Sequence, residues 1–268
     1  MSISVFDYID PERVYIHNYD VVFKLEAVEK DLTCFPEDLF KLSRLSLLDL
    51  TENNISIIPS EISKLTKLKN AYLSFNCIKE IPQELCNLNL KRLELGWNPI
   101  SIIPPEISNL INLERITLNN NHITKIPPEL GNLSNLKELF LNDNKITEIP
   151  VELYQLLKLN TLDLQNNNIT KVKNDKNLTN FLSKIYDLKI NISCYDMKNL
   201  DIDCEVLIFT RIYNNLTNLP ANLKAIFFSE KVENHYSDKN EDDIKKYNIK
   251  IDLPSGCEII YFSRCVLL

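Results

Sequence analysis

Six asparagines, Asn53, Asn76, Asn98, Asn121, Asn144 and Asn167, stand 23, 22, 23, 23 and 23 residues apart, each inside the same apolar frame. The frame begins in "LLDLTENNISIIPSEISKL" and returns in "AYLSFNCIKEIPQELCNL" and "RLELGWNPISIIPPEISNL". It returns again in "RITLNNNHITKIPPELGNL", "ELFLNDNKITEIPVELYQL" and "TLDLQNNNITKV". An earlier segment, "VFKLEAVEKDLTCFPEDLFKL", keeps the register through Pro36 but has Lys30 where the asparagine belongs. A unit of this size cannot bury its own apolar residues. Stacking against its neighbours can, so the period predicts a quasi-one-dimensional solenoid.

Within each unit two periodicities follow one another. Triplets such as "LDL" and "LEL" alternate as a short strand with one buried face does. The apolar spacing then lengthens through "IPxEIxxL", as a helical turn requires. The proline suits a first helical position, where no N–H is needed, and the following glutamate favours the positive helix end. The asparagines read as structural: a buried amide at a turn satisfies main-chain groups of its own and adjacent units. Each such group left unpaired would cost about 1–3 kcal/mol.

The full pattern, L-x-x-L-x-L-x-x-N-x-I-x-x-I-P-x-E-I-x-x-L, resembles a leucine-rich repeat, in about seven consecutive copies. Its 23-residue "IPxEIxxL" form is similar to the intracellular Ras-group proteins, including the Ras-suppressor and Erbin/Scribble-type arrays. The resemblance covers about residues 22–172. It implies an α/β solenoid with a parallel β-sheet on the concave face and short helices or 3-10 turns on the convex face. It also implies a cytoplasmic scaffold or adaptor that binds another protein.

Composition excludes several alternatives. A net charge of −7 and a pI near 5.2 argue against nucleic-acid binding, which draws on Lys/Arg–phosphate contacts. The first residues lack a basic-then-apolar leader, and no stretch approaches 18 consecutive apolar residues, so the chain reads as cytosolic or nuclear. Seven scattered cysteines without a C-x-x-C pair suit neither a disulfide framework nor a zinc site. Three isolated glycines leave no phosphate-cradling loop. His17, His122 and His235 fall in separate regions and no catalytic motif appears, so neither enzyme activity nor a cofactor is expected.

Residues 1–21 are expected to cap the array, and 173–268 to form an irregular, repeat-like extension and second cap. An independent domain at 173–268 is the alternative. In that region "LPANLKAIFF" and "LPSGCEIIYF" align at a period of 34, and "CEVLIF" echoes "CEIIYF". The segment 229–248 is polar and charged, and its "NEDDIKK" lacks calcium-loop spacing. Residues Lys224 to Phe228 fit a loose phosphatase-docking pattern, against which stands burial on a strand. Cysteines 194, 204 and 257 sit on apolar segments, which speaks against a hidden thiol enzyme.

The outward positions of the strands define the candidate binding surface. One row runs Glu26, Asp49, Tyr72, Glu94, Thr117, Phe140, Asp163; another, just before the asparagines, runs Glu29, Glu52, Phe75, Trp97, Asn120, Asp143, Asn166. Tyr72, Phe75, Trp97 and Phe140, with Lys69, Lys91, Arg92 and Arg115 around them, have the composition of a protein-binding hot spot. The opposing reading folds Phe75 and Trp97 back over the turn as packing groups. Finally, Cys265-Val266-Leu267-Leu268 matches a prenylation signal, with a buried apolar end as its alternative. The expectation is a monomeric, non-enzymatic adaptor on a protein partner, delivered to a cytoplasmic membrane surface by a lipid on Cys265. The alternative function is a regulatory subunit or inhibitor of a phosphatase or small GTPase.

Overall fold

The computed structural model describes residues 22–169 and, beyond them, the backbone of five strands between Lys171 and Phe262. The expected N-terminal cap (1–21), most of 173–268 and the Cys265 tail lie outside the described residues.

Each repeat opens with a three- or four-residue strand. These are β1 (Lys24–Glu26), β2 (Leu47–Asp49), β3 (Asn70–Tyr72), β4 (Arg92–Glu94), β5 (Arg115–Thr117), β6 (Glu138–Phe140) and, after the two-residue β7 (Glu148–Ile149), β8 (Thr161–Leu164). Strand β9 (Lys171–Val172) pairs with β7, and β10 (Asp187–Ile190) pairs with β8. The result is one parallel, open sheet in the order β1-β2-β3-β4-β5-β6-β8-β10. Its register aligns Leu25, Leu48, Ala71, Leu93, Ile116, Leu139 and Leu162 along the inward row, all buried. Strand β10 carries the sheet past residue 172, where the repeat motif ends, at a spacing of 26 from β8. Its only sequence trace is the alternation in "DLKI".

The convex side is built mainly of 3-10 turns: Glu37–Lys41, Ser60–Lys64, Pro105–Asn109, Pro128–Asn132 and Val151–Gln155. Sequence reasoning puts the repeat proline at the first helical position; instead Pro36, Pro59, Pro82, Pro104, Pro127 and Pro150 are the caps. With φ near −70° and ψ near 150° they approach the turn in extended form, and each carbonyl accepts the N–H three residues on, as Ile62 N to Pro59 O at 3.0 Å. The fixed ring angle suits that approach as well as it suits a helix. The repeat that is one residue short folds its turn as a true α-turn, Gln83–Cys86, closed by Asn87 N–H on Gln83 O at 3.1 Å. The change from a 3-10 to an α-turn on the outside accompanies the deletion, and the sheet register continues undisturbed from Asn70↔Arg92.

The asparagine column does the structural work expected of it. Asn98 is representative: its Oδ1 accepts the Ile78 N–H at 2.9 Å, while Nδ2 donates to Leu73 O at 3.0 Å and Leu95 O at 3.2 Å. Asn76, Asn121, Asn144 and Asn167 repeat this pattern. Asn53 reaches back to Lys30 and Leu32, so the first repeat, lacking its own asparagine, is held by the second. All six are buried and each stitches two repeats together.

Past β10, strands β11 (Val206–Phe209), β12 (Ala225–Ser229) and β13 (Glu258–Phe262) form a separate parallel sheet in that order. Ala225 pairs with Glu258 and Phe228 with Tyr261, an offset of 33. The sequence alignment at 34 is therefore one residue out. A similarity of letters does not see hydrogen-bond register, and in a strand one residue exchanges the two faces.

Candidate functional site

The residue before each ladder asparagine, and Glu29 before Lys30 in the equivalent place of the first repeat, has a left-handed backbone. Glu29, Glu52, Phe75, Trp97, Asn120, Asp143 and Asn166 all have φ between 53° and 56°. This conformation is what turns the chain off the strand while swinging the next side chain inward. It favours Asn or Gly and disfavours bulky residues by about 1–2 kcal/mol. Asn120 and Asn166 obey that preference; Phe75 and Trp97 do not.

Main-chain bonds fix these positions from repeat to repeat, with Phe75 N–H on Gly96 O and Trp97 N–H on Asn119 O, both at 2.9 Å. Their rings stack on each other, centroids 5.2 Å apart and planes within 11°. Phe75 remains 45% exposed and Trp97 50% exposed. The pair is thus a rigid aromatic shelf on the trailing rim of the sheet, where the strands end. The stack covers one face of each ring and leaves much of the rest in solvent. Elsewhere among the described residues the large exposed apolar groups Ile57 and Ile102 are separated in their row by Glu80, and Phe23, Ile111 and Leu157 occupy other positions.

The expected ring of cations around these aromatics is not where the aromatics are. Lys69 and Lys91 precede the strands and Arg92 and Arg115 begin them, so they line the leading edge, roughly 15 Å from the rim at about 3.3 Å per residue. That edge is largely self-neutralised. Glu114 lies 2.7 Å from Lys137 and 3.7 Å from Lys91, and the Lys137 hydrogen bond, chiefly, holds its carboxyl below the usual range. Arg115 is clasped between Glu138 at 2.5 Å and Glu94 at 3.5 Å, and its guanidinium sits 4.7 Å above the Phe140 ring. Its Nε, close to Glu94 but poorly aligned, forms no hydrogen bond. Lys69 Nζ reaches Asn89 O at 3.3 Å. Arg92 is exposed and makes no ion pair among the described residues.

The eight sequence-selected residues therefore fall into four groups. Phe75 and Trp97 are together on the rim. Tyr72 is half-buried on the middle of the concave face, in the row of Glu94, Thr117 and Phe140. Phe140 belongs with Arg115, and Lys69, Lys91 and Arg92 belong to the leading edge. Side-chain length, which reaches along and across strands, was invisible to position counting.

Around the shelf the charge is negative. The rim row carries Glu29, Glu52 and Asp143 and no Lys or Arg. The Glu29 carboxyl hydrogen-bonds that of Glu52 and, with burial and repulsion adding, raises the Glu52 pKa. No metal cluster accompanies these groups: among the described residues no three His, Cys, Asp or Glu side chains converge on one point. Burial pushes the Cys86 thiol up to about 12, which leaves it unreactive, and His122 is exposed on a turn.

Known proteins share this architecture. A family described as leucine-rich repeat matches residues 111–169, and a second leucine-rich-repeat family matches 44–65 and 89–110. The chain is similar to the ectodomain of the plant membrane receptor kinase GASSHO1/SCHENGEN3 from Arabidopsis thaliana, solved in complex with CASPARIAN STRIP INTEGRITY FACTOR 2. Identity is 29% and the TM-score 0.50, over 73% of this chain and 22% of that one. It is also similar to a leucine-rich-repeat protein of Leptospira interrogans, at 25% identity and TM-score 0.51, over 86% and 58% of the two chains. In both cases this chain spans less than two thirds of the neighbour's length. No curated protein sequence matches it.

Proposed function

We propose that this leucine-rich-repeat protein is a non-enzymatic adaptor that captures a protein partner across its concave sheet, anchored on the trailing-rim aromatics. Leucine-rich-repeat domains generally mediate protein–protein interaction, and the plant neighbour was solved with a partner bound. The observation that carries the reading is the Phe75–Trp97 stack. Two bulky rings occupy backbone positions that disfavour them, stay half in solvent, and are held in place by main-chain bonds. Large aromatic side chains fixed before binding lose little entropy on association and dominate interface energetics.

Cross-linking capture from the native cell tests this. Partners recovered with the wild type should be lost with Trp97→Ala and Phe75→Ala while the melting temperature stays nearly unchanged. Equal recovery by both variants would sink the proposal. Phosphatase and GTPase turnover measured with and without the protein separates capture from regulation. The docking pattern at 224–228 adds nothing to the regulatory reading, because β12 is paired on both sides and offers no free strand edge. Membrane delivery through Cys265 rests on the "CVLL" motif alone. Intact mass of the natively expressed protein tests it: an added isoprenoid with loss of Val266–Leu268 supports the lipid, and an unmodified full-length chain removes it.

A further inference from the structure

The partner's chemistry can be narrowed from the charges around the shelf, an inference that rests on the docking surface proposed above. We propose that the trailing rim receives an extended, basic protein segment, with an arginine or lysine laid over the exposed face of the Phe75–Trp97 stack and a second cation between Glu29 and Glu52.

Three observations point the same way. First, the shelf has π-faces in solvent and no cation of this chain over them among the described residues; the cation–π pair among those residues is Arg115 on Phe140, toward the leading edge of the same face. A guanidinium over tryptophan is the favoured form of that interaction. Second, the rim row flanks the shelf with carboxylates on both sides, Glu29 and Glu52 before it and Asp143 after it. Glu29 and Glu52 are in contact and make no ion pair among the described residues, whereas nearby Glu26 is matched by Lys24 at 2.7 Å. An incoming cation relieves that repulsion. Third, the concave face offers an acidic segment little to bind. Of its cations, Lys24, Lys91, Arg115 and Lys137 already have carboxylate partners on this chain, and Lys69 and Arg92, which have none among the described residues, stand at the leading edge away from the shelf. Opposite-sign complementarity of this kind sets specificity and association rate. The repeat period spaces successive rim positions at the strand separation of about 4.8 Å. A segment running across the strands along the rim therefore meets carboxylate, carboxylate, aromatic, aromatic in order.

Selection of a random dodecapeptide display library against the full-length protein tests the inference. The expected result is enrichment of sequences with two or more Arg or Lys around an apolar residue. Their binding, followed through the fluorescence of Trp97, the single tryptophan, should weaken at least about fivefold when the arginines are replaced by citrulline. It should weaken likewise in Glu29→Gln/Glu52→Gln and vanish in Trp97→Ala, whose binding is followed by anisotropy of a labelled peptide. Melting temperatures confirm that the variants fold. Enriched acidic or uncharged peptides that still require Trp97 would overturn the basic-segment inference and leave the docking surface standing. Peptides whose binding ignores Trp97, or no enrichment at all, would overturn both.

Discussion

The leading edge and the trailing rim of the same sheet handle charge in opposite ways. At the leading edge Glu114 holds Lys91 and Lys137, and Arg115 holds Glu94 and Glu138. These charges stabilise the solenoid and present little to a partner. At the rim Glu29 and Glu52 share a hydrogen bond with each other, have no cation as partner among the described residues, and lie in the row of two exposed aromatic rings. Groups that serve the fold are mutually satisfied; groups left unsatisfied, on a rigid backbone, are the ones a partner can satisfy. The rim also shows how finely this division is drawn, because from Glu52 onward each outward side chain is the sequence neighbour of a buried ladder asparagine.

That contrast can be broken at several points. The largest effect is expected from Asn98→Ala, which strands the Ile78 N–H and the Leu73 and Leu95 carbonyls. Urea unfolding should show a loss of about 2–4 kcal/mol. Next comes Arg115→Ala, which leaves Glu94 and Glu138 facing each other and uncovers Phe140. With the guanidinium a third exposed, about 1–2 kcal/mol is expected, with peptide binding at the rim unchanged. Trp97→Ala should move stability by less than about 1 kcal/mol, since lost stacking is offset by relief at the left-handed position, yet it should abolish capture. A loss well above that would return the aromatics to a packing role.

The smallest and sharpest test is pH. Glu114 titrates below its ordinary value of 4.5, so its contribution is present above that pH and lost as pH falls through the folded value. Glu52 titrates above 4.5, so the stability linked to it is present in acid and lost as pH rises through the folded value. Glu114→Gln should therefore be less stable than wild type at neutral pH and Glu52→Gln more stable. Both differences should fade well below pH 4.5 in denaturation midpoints compared across the range. Equal signs for the two variants would refute the contrast between the edges.

Much of this architecture was legible in the chain because a repeat turns one local pattern into a lattice. The inward row from Leu25 to Leu162, the outward row from Glu26 to Phe140 and the buried asparagines all fall where counting places them, whereas Asp163, last of the outward row, is buried where β10 pairs beside it. Counting failed where geometry leaves the period. It missed β10, paired β12 with β13 one residue out, and put the turn prolines one place too far in. It also gathered the cations around Phe75 and Trp97, although they lie at the opposite ends of the strands; of the four, Arg115 does meet an aromatic, Phe140.

The amino-acid sequence by itself determined the period, the buried face and the ladder, because each depends only on which residues recur at fixed separation. The tertiary structure alone decided which charges meet. A lysine, arginine or glutamate reaches several ångströms from its Cα, and its partner is chosen among side chains 23 residues away on the neighbouring strand, as Arg115 chooses Glu138. Only that pairing shows that most charges of the leading edge are already matched, whereas the acidic, aromatic rim is not.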